Sequence, residues 1–274
     1  MKQPIDAATA FAWFTTPRRL PDPPEAAALQ AEATRLSLDF EDETLAVWHW
    51  GQGADRPIAL LVHGWEGAAA QFHRLVPVLL AAGYRVVAPD MPAHGASTGR
   101  QSDPVAFGRA ATAIGSALTA GRLGPQAAPV DTFIGHSVGS AAGLFAFAQG
   151  LQVNHSLHLA GPASLSRAVD RFARVLGLTP EVAAAFRGLL PRITGPQTDA
   201  MELEAQLHGL RHPALLLHDP ADRIVPYAES ETLAAAWPQA ELRPLPGGGH
   251  AGFLEDERLL PAIRAFLPRL AAAA

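Results

Sequence analysis

The chain has 274 residues, of which 49% are hydrophobic and 17% are charged, and it contains no cysteine. This composition supplies enough apolar side chains for a packed interior and too little charge for a disordered chain. The net charge is -5 and the basic residues form no run, so the charge pattern of a nucleic-acid-binding protein is absent. Without cysteine, the chain forms no disulfide and has no thiolate ligand or nucleophile.

The first residues do not resemble a signal peptide, because Asp6 and Thr9 interrupt the apolar centre that such a peptide needs. No stretch of about 18 uninterrupted apolar residues follows, so the sequence predicts no membrane span. We therefore expect a cytoplasmic protein. Length alone does not decide the number of domains, and we expect one domain with an insertion.

Short apolar runs alternate with longer amphipathic segments, a pattern typical of parallel strands joined by crossover helices. The leading segment ends in the proline-containing stretch 20–25, which predicts irregular structure there. Two runs, 35–40 and 44–50, then alternate apolar and polar residues and predict an antiparallel hairpin at a sheet edge. Four further runs are apolar on both faces, as buried parallel strands are: 57–64, 84–90, 130–137 and 155–162.

Segments of helical length and spacing separate these strands, at 68–83, 104–120 and 138–150. Later elements complete the pattern: strands at 213–219 and 241–247, a helix near 227–237 and a final helix at 255–270. The sequence thus predicts an α/β fold with a mostly parallel, doubly wound sheet of about eight strands flanked by helices. The segment 163–207 adds helices but no strand, and we expect it to form a short lid inserted after the sixth strand into a core of 1–162 and 208–274.

A G-x-S-x-G motif, Gly135 to Gly139, stands between the predicted strand 130–137 and a helix rich in small residues. In this context the motif is typical of a nucleophilic serine, here Ser137, carried on a sharp and strained turn. The two glycines serve such a turn because the strand and the helix approach too closely to leave room for a Cβ atom.

From about Arg35 onward, the chain resembles the α/β-hydrolase family. Members of that family place a nucleophile after the fifth strand, an acid after the seventh and a histidine after the eighth. Ser137, Asp222 and His250 stand at these places and in this order, which differs from the order in unrelated triads. The resemblance implies a serine hydrolase with Ser137 as nucleophile, His250 as general base and acid, and Asp222 as the acid that orients it.

Asp219 is the alternative to Asp222 as the acid. Asp222 lies in HDPADRIVP, where the family has its acid before a hydrophobic-proline turn, whereas Asp219 has the position of a turn or helix-capping residue. His250 follows three glycines, in a loop able to bring an imidazole over the sheet edge.

These residue types suit the chemistry that the triad performs. A serine hydroxyl is almost never ionised near neutral pH, so a base must take its proton during attack. Histidine titrates near neutrality and can return the proton to the leaving group. A carboxylate on its other nitrogen fixes the tautomer and stabilises the imidazolium.

The tetrahedral intermediate also needs hydrogen-bond donors for its oxyanion, each typically worth about 3 kcal/mol. By resemblance, these donors are the backbone N–H groups of Val138 and Trp65. Trp65 belongs to the sequence His63-Gly64-Trp65, which matches the family's His-Gly-x signature. We expect His63, Gly64 and His136 at substrate-binding positions.

The segment Asp90 to Ser97 resembles the family's D-x-P-G-x-G-x-S loop, with Ala93 in place of the usual glycine. We expect this loop to fold under the oxyanion loop, so that the departure at Ala93 affects loop geometry rather than catalysis.

A serine at this turn disfavours the dehalogenases and epoxide hydrolases of the same fold, which carry an aspartate there. Hydrolysis of a small-molecule carboxylic ester is the leading expectation. Related proteins use the same triad on thioesters, amides and lactones, in peracid formation and in carbon–carbon bond hydrolysis. A non-catalytic binding protein is the other alternative, and a complete triad argues against it.

No cofactor is expected. No H-x-x-x-H or comparable close ligand set predicts a metal site.

The predicted lid leaves two questions open. Its apolar side chains either line an acyl site or pack the lid onto the core. Arg167, Arg171 and Arg174 lie along one predicted helix and form either a solvated face or a contact to an acidic substrate.

Overall fold

The computed structural model describes residues 4–53, 55–124, 127–194, 202, 207, 209–250 and 252–271. In these residues one eight-stranded sheet runs through the molecule in the order β1-β2-β4-β3-β5-β6-β7-β8. The strands are β1 (Thr34–Phe40), β2 (Glu43–Trp50), β3 (Ile58–Val62), β4 (Arg85–Pro89), β5 (Val130–His136), β6 (His155–Leu159), β7 (Ala214–His218) and β8 (Ala240–Pro244).

Helices cover both faces of this sheet and also precede it in the chain. They are α1 (Ala7–Thr15), α2 (Ala26–Ala31), α3 (Leu75–Ala81), α4 (Pro104–Thr119), α5 (Val138–Ala148), α6 (Leu165–Val175), α7 (Pro180–Arg187), α8 (Pro191–Thr194), α9 (Tyr227–Ala236) and α10 (Leu259–Ala271). No helix in the described ranges is long and apolar enough to cross a membrane.

The strand pairing confirms the predicted fold class. β1 and β2 form an antiparallel hairpin at the sheet edge, and β2 also pairs antiparallel with β4. From β4 across to β8 every pair is parallel. The sheet is therefore mostly parallel, and crossover helices join its parallel strands as the alternating sequence pattern predicted.

The structure adds two helices to the predicted elements and divides another. The leading segment is irregular at its prolines, as the sequence predicted, and forms α1 and α2 on either side of that stretch; Asp6 caps α1 by accepting the N–H of Thr9 at 2.8 Å. The predicted single helix 68–83 divides into a 3₁₀ turn, Ala69–Phe72, and α3. Pro77 explains the division, because it fits only the first turn of a helix, where its missing N–H has no intrahelical partner to lose.

The core lies in two layers, one on each face of the sheet. Alternate residues of β3 enter different layers: Leu60 and Val62 pack with Phe133 on one face, and Ala59 and Leu61 pack on the other. This alternation is the two-residue period of a strand, and it makes β3 buried at every position. A buried sheet of this kind gives the loops at its carboxyl edge a rigid base.

The helices α6 to α8 are inserted between β6 and β7. They pack on the N-terminal helix, where the ring of Phe14 lies 5.2 Å from that of Phe172 and 5.6 Å from that of Phe186. Of the predicted lid, residues 195–201 and 203–206 lie outside the described residues.

Candidate active site

Ser137 lies on the turn between β5 and α5, with φ 52° and ψ -120°. A non-glycine residue in such a conformation costs of order 1–3 kcal/mol and persists only where its surroundings hold it. The N–H of Ser137 donates to the carbonyl of Leu159 in the neighbouring strand at 2.8 Å, and its own carbonyl accepts the N–H of Ser140 at 2.9 Å. The parallel sheet thus supports the strained turn.

The glycines on both sides of Ser137 allow the close approach that this turn requires. A Cβ atom added to Gly135 would lie 2.5 Å from the carbonyl oxygen of Gly139. A Cβ atom added to Gly139 would lie 2.1 Å from the carbonyl oxygen of Val62 in β3. Backbone cannot yield at such distances, so any larger residue at either position would displace the nucleophile.

Of the three residues predicted as a triad, His250 lies within hydrogen-bond distance of both Ser137 and Asp222. His250 Nε2 is 2.9 Å from Ser137 Oγ, and His250 Nδ1 is 2.7 Å from Asp222 Oδ2. Because a carboxylate only accepts, Nδ1 carries the proton of the neutral ring, which leaves Nε2 to accept from the serine hydroxyl. The arrangement can therefore remove a proton from Ser137 as it attacks an electrophile.

Asp222 is held in its ionised form although its side chain is fully buried. Its Oδ1 accepts the N–H groups of Ile224 at 2.8 Å and Val225 at 3.0 Å. Burial acts to raise the pKa of Asp222, but hydrogen bonds from His218 and His250 outweigh it and hold the pKa well below the ordinary value of aspartate. A permanent negative charge therefore faces the ring of His250.

Asp219, the alternative acid, makes contacts of a different kind. Its Oδ2 accepts the N–H groups of Gly247 at 2.9 Å and Gly249 at 2.6 Å, and its Oδ1 accepts the N–H of Ala221 at 2.8 Å. The hydrogen bond from Ala221 is the main cause of its lowered pKa. Asp219 thus holds the loop that carries His250, whereas Asp222 contacts the imidazole itself.

The loop after β3 lies directly against the nucleophile. A Cβ atom added to Gly64 would lie 3.3 Å from Ser137 Cβ. The N–H of Gly67 donates to the carbonyl of Gly64 at 3.1 Å and closes a turn, while the Trp65 ring packs 5.0 Å from the ring of His94. The side chain of Trp65 therefore packs on the core beneath this loop.

Val138 is the first residue of α5, next to the nucleophile. The first N–H groups of a helix have no intrahelical partner and lie at the positive end of its dipole. The assignment of the N–H groups of Trp65 and Val138 to an oxyanion hole stays a prediction.

His63 lies beneath the loop after β3. Its ring has no exposed surface, Nε2 accepts the N–H of Met91 at 2.9 Å, and Nδ1 donates to the carbonyl of Gly64 at 2.7 Å. Burial lowers the pKa of His63 to about 4, so the ring stays neutral and ties the loops after β3 and β4 together. The buried ring indicates a structural role, and a substrate contact of His63 stays a prediction.

His136 lies between two residues of the site. Its ring is 5.2 Å from the ring of His250, and a Cβ atom added to Gly64 would lie 2.9 Å from its Nδ1. Burial lowers the pKa of His136 to about 3, and the nearby His250 acts in the same direction. A neutral ring therefore packs behind the base, and substrate contacts of His136 and Gly64 stay predictions.

The loop from Asp90 to Ser97 supports the segment that follows β3, as its sequence led us to expect. Asp90 accepts the N–H of Ala69 at 2.7 Å and the N–H of Ala96 at 2.9 Å. Ala93 has φ 65°, a left-handed conformation that a glycine adopts without strain. The departure from the family's glycine therefore costs local strain within a well-bonded loop.

Two groups of residues near the site escaped the sequence analysis. His218, at the end of β7, has its Nε2 3.3 Å from Asp222 Oδ2. Glu229, buried in α9, receives the guanidinium groups of Arg167 and Arg171 from α6 at 3.1 and 2.6 Å. Arg167 and Arg171 thus anchor the inserted helices to α9 through an acidic residue of the chain itself. The position of His218 next to Asp219 was a signal that the sequence offered, whereas no sequence signal paired Glu229 with the arginines of α6.

Within the ranges that the structure describes, no group of three or more histidine, aspartate or glutamate residues is arranged to hold a metal ion.

Comparison with known proteins adds to this geometry. The sequence pattern of the family described as "Alpha/beta hydrolase family" matches residues 59–262. The chain belongs to the alpha/beta hydrolase family. This α/β-hydrolase is 26% identical over 256 residues to a pimeloyl-[acyl-carrier protein] methyl ester esterase of Xanthomonas campestris, an alignment that covers 78% of the chain and 96% of that protein.

Solved structures share the same fold. An esterase of Pyrococcus furiosus, Pf2001, superimposes on the α/β-hydrolase with a TM-score of 0.69 and 19% identity, over 92% of this chain and 98% of the other. Est1E of Butyrivibrio proteoclasticus, solved with ferulic acid bound, gives a TM-score of 0.68 and 19% identity over 86% of this chain and 99% of its own. At these identities the likeness concerns the fold alone.

Proposed function

We propose that this α/β-hydrolase is a serine esterase that cleaves a small-molecule carboxylic ester through an acyl-enzyme intermediate. The observation that carries the proposal is the hydrogen-bonded series from Asp222 through His250 to Ser137, on a strained turn at the carboxyl edge of the sheet. This geometry supplies a nucleophile, its base and the acid that fixes the tautomer of the base.

The reaction follows from these positions. Ser137 Oγ attacks the ester carbonyl while His250 Nε2 takes its proton, and the carbonyl oxygen becomes an oxyanion that the N–H groups of Trp65 and Val138 stabilise. His250 then gives the proton to the alkoxide leaving group, and the acyl group stays on Ser137. Water, activated by His250, hydrolyses the acyl-enzyme and restores the serine.

The relatives favour an ester over the other substrates of such triads. The Xanthomonas protein is named as a methyl ester esterase, and its alignment spans nearly its whole length. The alternatives that the sequence left open, among them thioester, lactone and amide hydrolysis, use the same residues and differ only in the substrate.

We also propose that the inserted helices α6 to α8 form a lid on the hydrolase core. They leave the sheet at the carboxyl end of β6, the edge on which Ser137 lies, and Phe172 and Phe186 join them to α1. A cytoplasmic location stays a prediction from the sequence.

The test is hydrolysis of p-nitrophenyl esters from acetate to palmitate by the wild type and by Ser137→Ala and His250→Ala. We expect wild-type turnover and a loss of at least about 10⁴-fold in both variants. Ser116→Ala, an exposed serine on α4, is the matched control and should leave the rate unchanged. Full activity without Ser137, or no activity on any ester, would overturn the proposal.

A further inference from the structure

His218 lies at the end of β7, outside the proposed triad, and its ring has no exposed surface. Its Nε2 is 2.9 Å from the carbonyl oxygen of Val225 and 3.3 Å from Asp222 Oδ2. Its Nδ1 is 2.7 Å from the hydroxyl of Ser230, on α9. The ring therefore joins three elements: the strand, the loop of the proposed acid and the helix behind that loop.

The neighbours of His218 fix which nitrogen carries the hydrogen. A carbonyl and a carboxylate oxygen only accept, so the Nε2 that faces Val225 and Asp222 must carry the hydrogen of the neutral ring. In the neutral ring Nδ1 then accepts, and the hydroxyl of Ser230, itself 1% exposed, is the group that can donate to it. Ser230 thus selects the tautomer that places a hydrogen opposite Asp222.

This hydrogen completes the set of donors around the Asp222 carboxylate. Oδ1 accepts the N–H groups of Ile224 and Val225, and Oδ2 accepts from His250 Nδ1 and lies 3.3 Å from the N–H of His218 Nε2. Both oxygens are therefore held, which prevents rotation of the carboxylate about its Cβ–Cγ bond. His218 also holds the loop itself, because it donates to the carbonyl of Val225.

We propose that His218 is a positioning residue that aims the Asp222 carboxylate at His250, and that Ser230 sets the tautomer needed for this. The inference rests on the proposed function, since a positioned acid affects turnover only in a working triad. His218 acts through Asp222 and has no exposed surface, so its loss lowers kcat and leaves KM unchanged.

Three variants separate positioning from packing. His218→Leu removes the donor, His218→Gln restores an amide N–H near the position of Nε2, and Ser230→Ala removes only the hydroxyl. The matched control is His158→Gln, in the neighbouring strand: His158 is 1% exposed and bonds to the hydroxyls of Ser140 and Ser156 at 2.8 and 3.1 Å.

We expect His218→Leu to lower kcat by about 10- to 100-fold with KM changed less than about twofold, the size expected when a charged group loses a hydrogen bond. In His218→Gln, kcat should recover most of that loss. In Ser230→Ala, kcat should lie between the values of His218→Leu and His218→Gln. His158→Gln should lower thermal stability but keep kcat. Equal kcat in the Leu and Gln variants, or a matching loss in His158→Gln, would overturn the inference.

A second readout does not depend on turnover and separates this inference from the proposed function. The wild type and Ser137→Ala in the same ester assay decide the proposed function. The low-field proton resonance of His250 Nδ1–H reports its bond to Asp222 in either case. It should be sharp in the wild type and in His218→Gln, and broadened or lost in His218→Leu. An unchanged resonance in a folded His218→Leu protein would contradict the positioning role.

Discussion

The loops after β7 and β8 and the helices inserted after β6 begin at the same edge of the sheet, but they are held in different ways. In the loop after β7, Asp222 accepts the backbone N–H groups of Ile224 and Val225, a few residues away, and Asp219 accepts N–H groups of the loop after β8. The inserted helices pack on α1 through Phe172 and Phe186 and are tied to α9 by Glu229, which accepts two arginines of α6.

The two sets of contacts differ in sequence separation: a short motif can specify local contacts, whereas only folding brings distant residues together. The backbone contacts of Asp222, with Ile224 and Val225, lie within one stretch of sequence. Glu229 instead contacts residues 58 to 66 positions away, among them the N–H groups of Ala163 and Ser164 at 2.9 and 3.2 Å. The catalytic loops should therefore depend on individual carboxylates for chemistry, and the inserted helices should depend on Glu229 for stability.

The largest expected effect distinguishes the two aspartates of the β7 loop. Asp222→Asn places an amide opposite His250 Nδ1 and favours the wrong tautomer, so we expect kcat to fall by about 10³- to 10⁴-fold. Asp219→Asn keeps an oxygen that can accept from the glycine loop, and it should lose less than about tenfold. Steady-state kinetics on one ester measures both, and a larger loss at Asp219 would reverse the assignment.

Acid should weaken the region beneath the catalytic loops before it weakens the Glu229 contacts. Burial lowers the pKa of His63 to about 4 and of His94, His136 and His158 to about 3. The unfolded chain binds protons below about pH 6.5 and the folded protein does not, so stability is complete above that pH and falls toward pH 4. At pH 5, each of these histidines should lower the free energy of unfolding by about 1 to 2 kcal/mol relative to neutral pH.

For Glu229, burial raises the pKa, but Arg167, the N–H of Ala163 and Arg171 outweigh it and leave the pKa below its ordinary value. Its ion pairs should therefore persist at pH 5. Hydrogen exchange at pH 7 and pH 5 tests this difference. Between pH 7 and pH 5, the free energy of unfolding should fall less in His158→Gln than in the wild type. Exchange in α6 that rises at a higher pH than exchange in the loops above the buried histidines would contradict this order.

Glu229→Gln should destabilise the inserted helices by about 2 to 4 kcal/mol, because two arginines lose the charge that they contact in a buried site. The exposed Glu231, on the same helix, supplies the matched control Glu231→Gln. Urea unfolding gives the free energy, and limited proteolysis should cut α6 to α8 in the Glu229 variant first. Equal stability of the two variants would show that apolar packing alone holds these helices.

The smallest expected effect concerns the oxyanion loop. Arg18, in the N-terminal segment, donates through Nε and Nη2 to both carboxylate oxygens of Glu66, at 2.8 and 2.5 Å, next to Trp65. Arg18→Met should lower kcat by at most about fivefold, since exposed ion pairs contribute little, and added salt should reduce the difference.

Arg109 contacts Glu41 with the same two guanidinium atoms and is the matched control for Arg18. Arg109→Met should keep the wild-type kcat at every salt concentration. A similar loss in both variants would remove any special role of the contact at Glu66.

The sequence predicted the sheet because each strand carries its own local signal, such as the fully apolar run that became β3. It predicted less well where distant contacts decide the structure. Helix α1 is held by Phe14 against α7, a contact that the proline-containing segment after it does not reveal. The break within 68–83 was readable from Pro77 and was missed.

The site shows the same division. Ser137, Asp222 and His250 follow strands in a fixed order, and the structure brings them within hydrogen-bond distance. His63 matched the family's signature equally well, yet its ring turned out to face the core. A motif indicates where a residue lies in the fold. The direction of its side chain depends on burial and on its hydrogen-bond partners.

The most direct test that Ser137 is an activated nucleophile is labelling of the native protein with a fluorophosphonate, followed by intact mass and peptide mapping. We expect one adduct, on the peptide that contains Ser137, which is absent in Ser137→Ala and forms far more slowly in His250→Ala. An unlabelled wild type, or an adduct on another serine, would contradict the claim that Ser137 is an activated nucleophile.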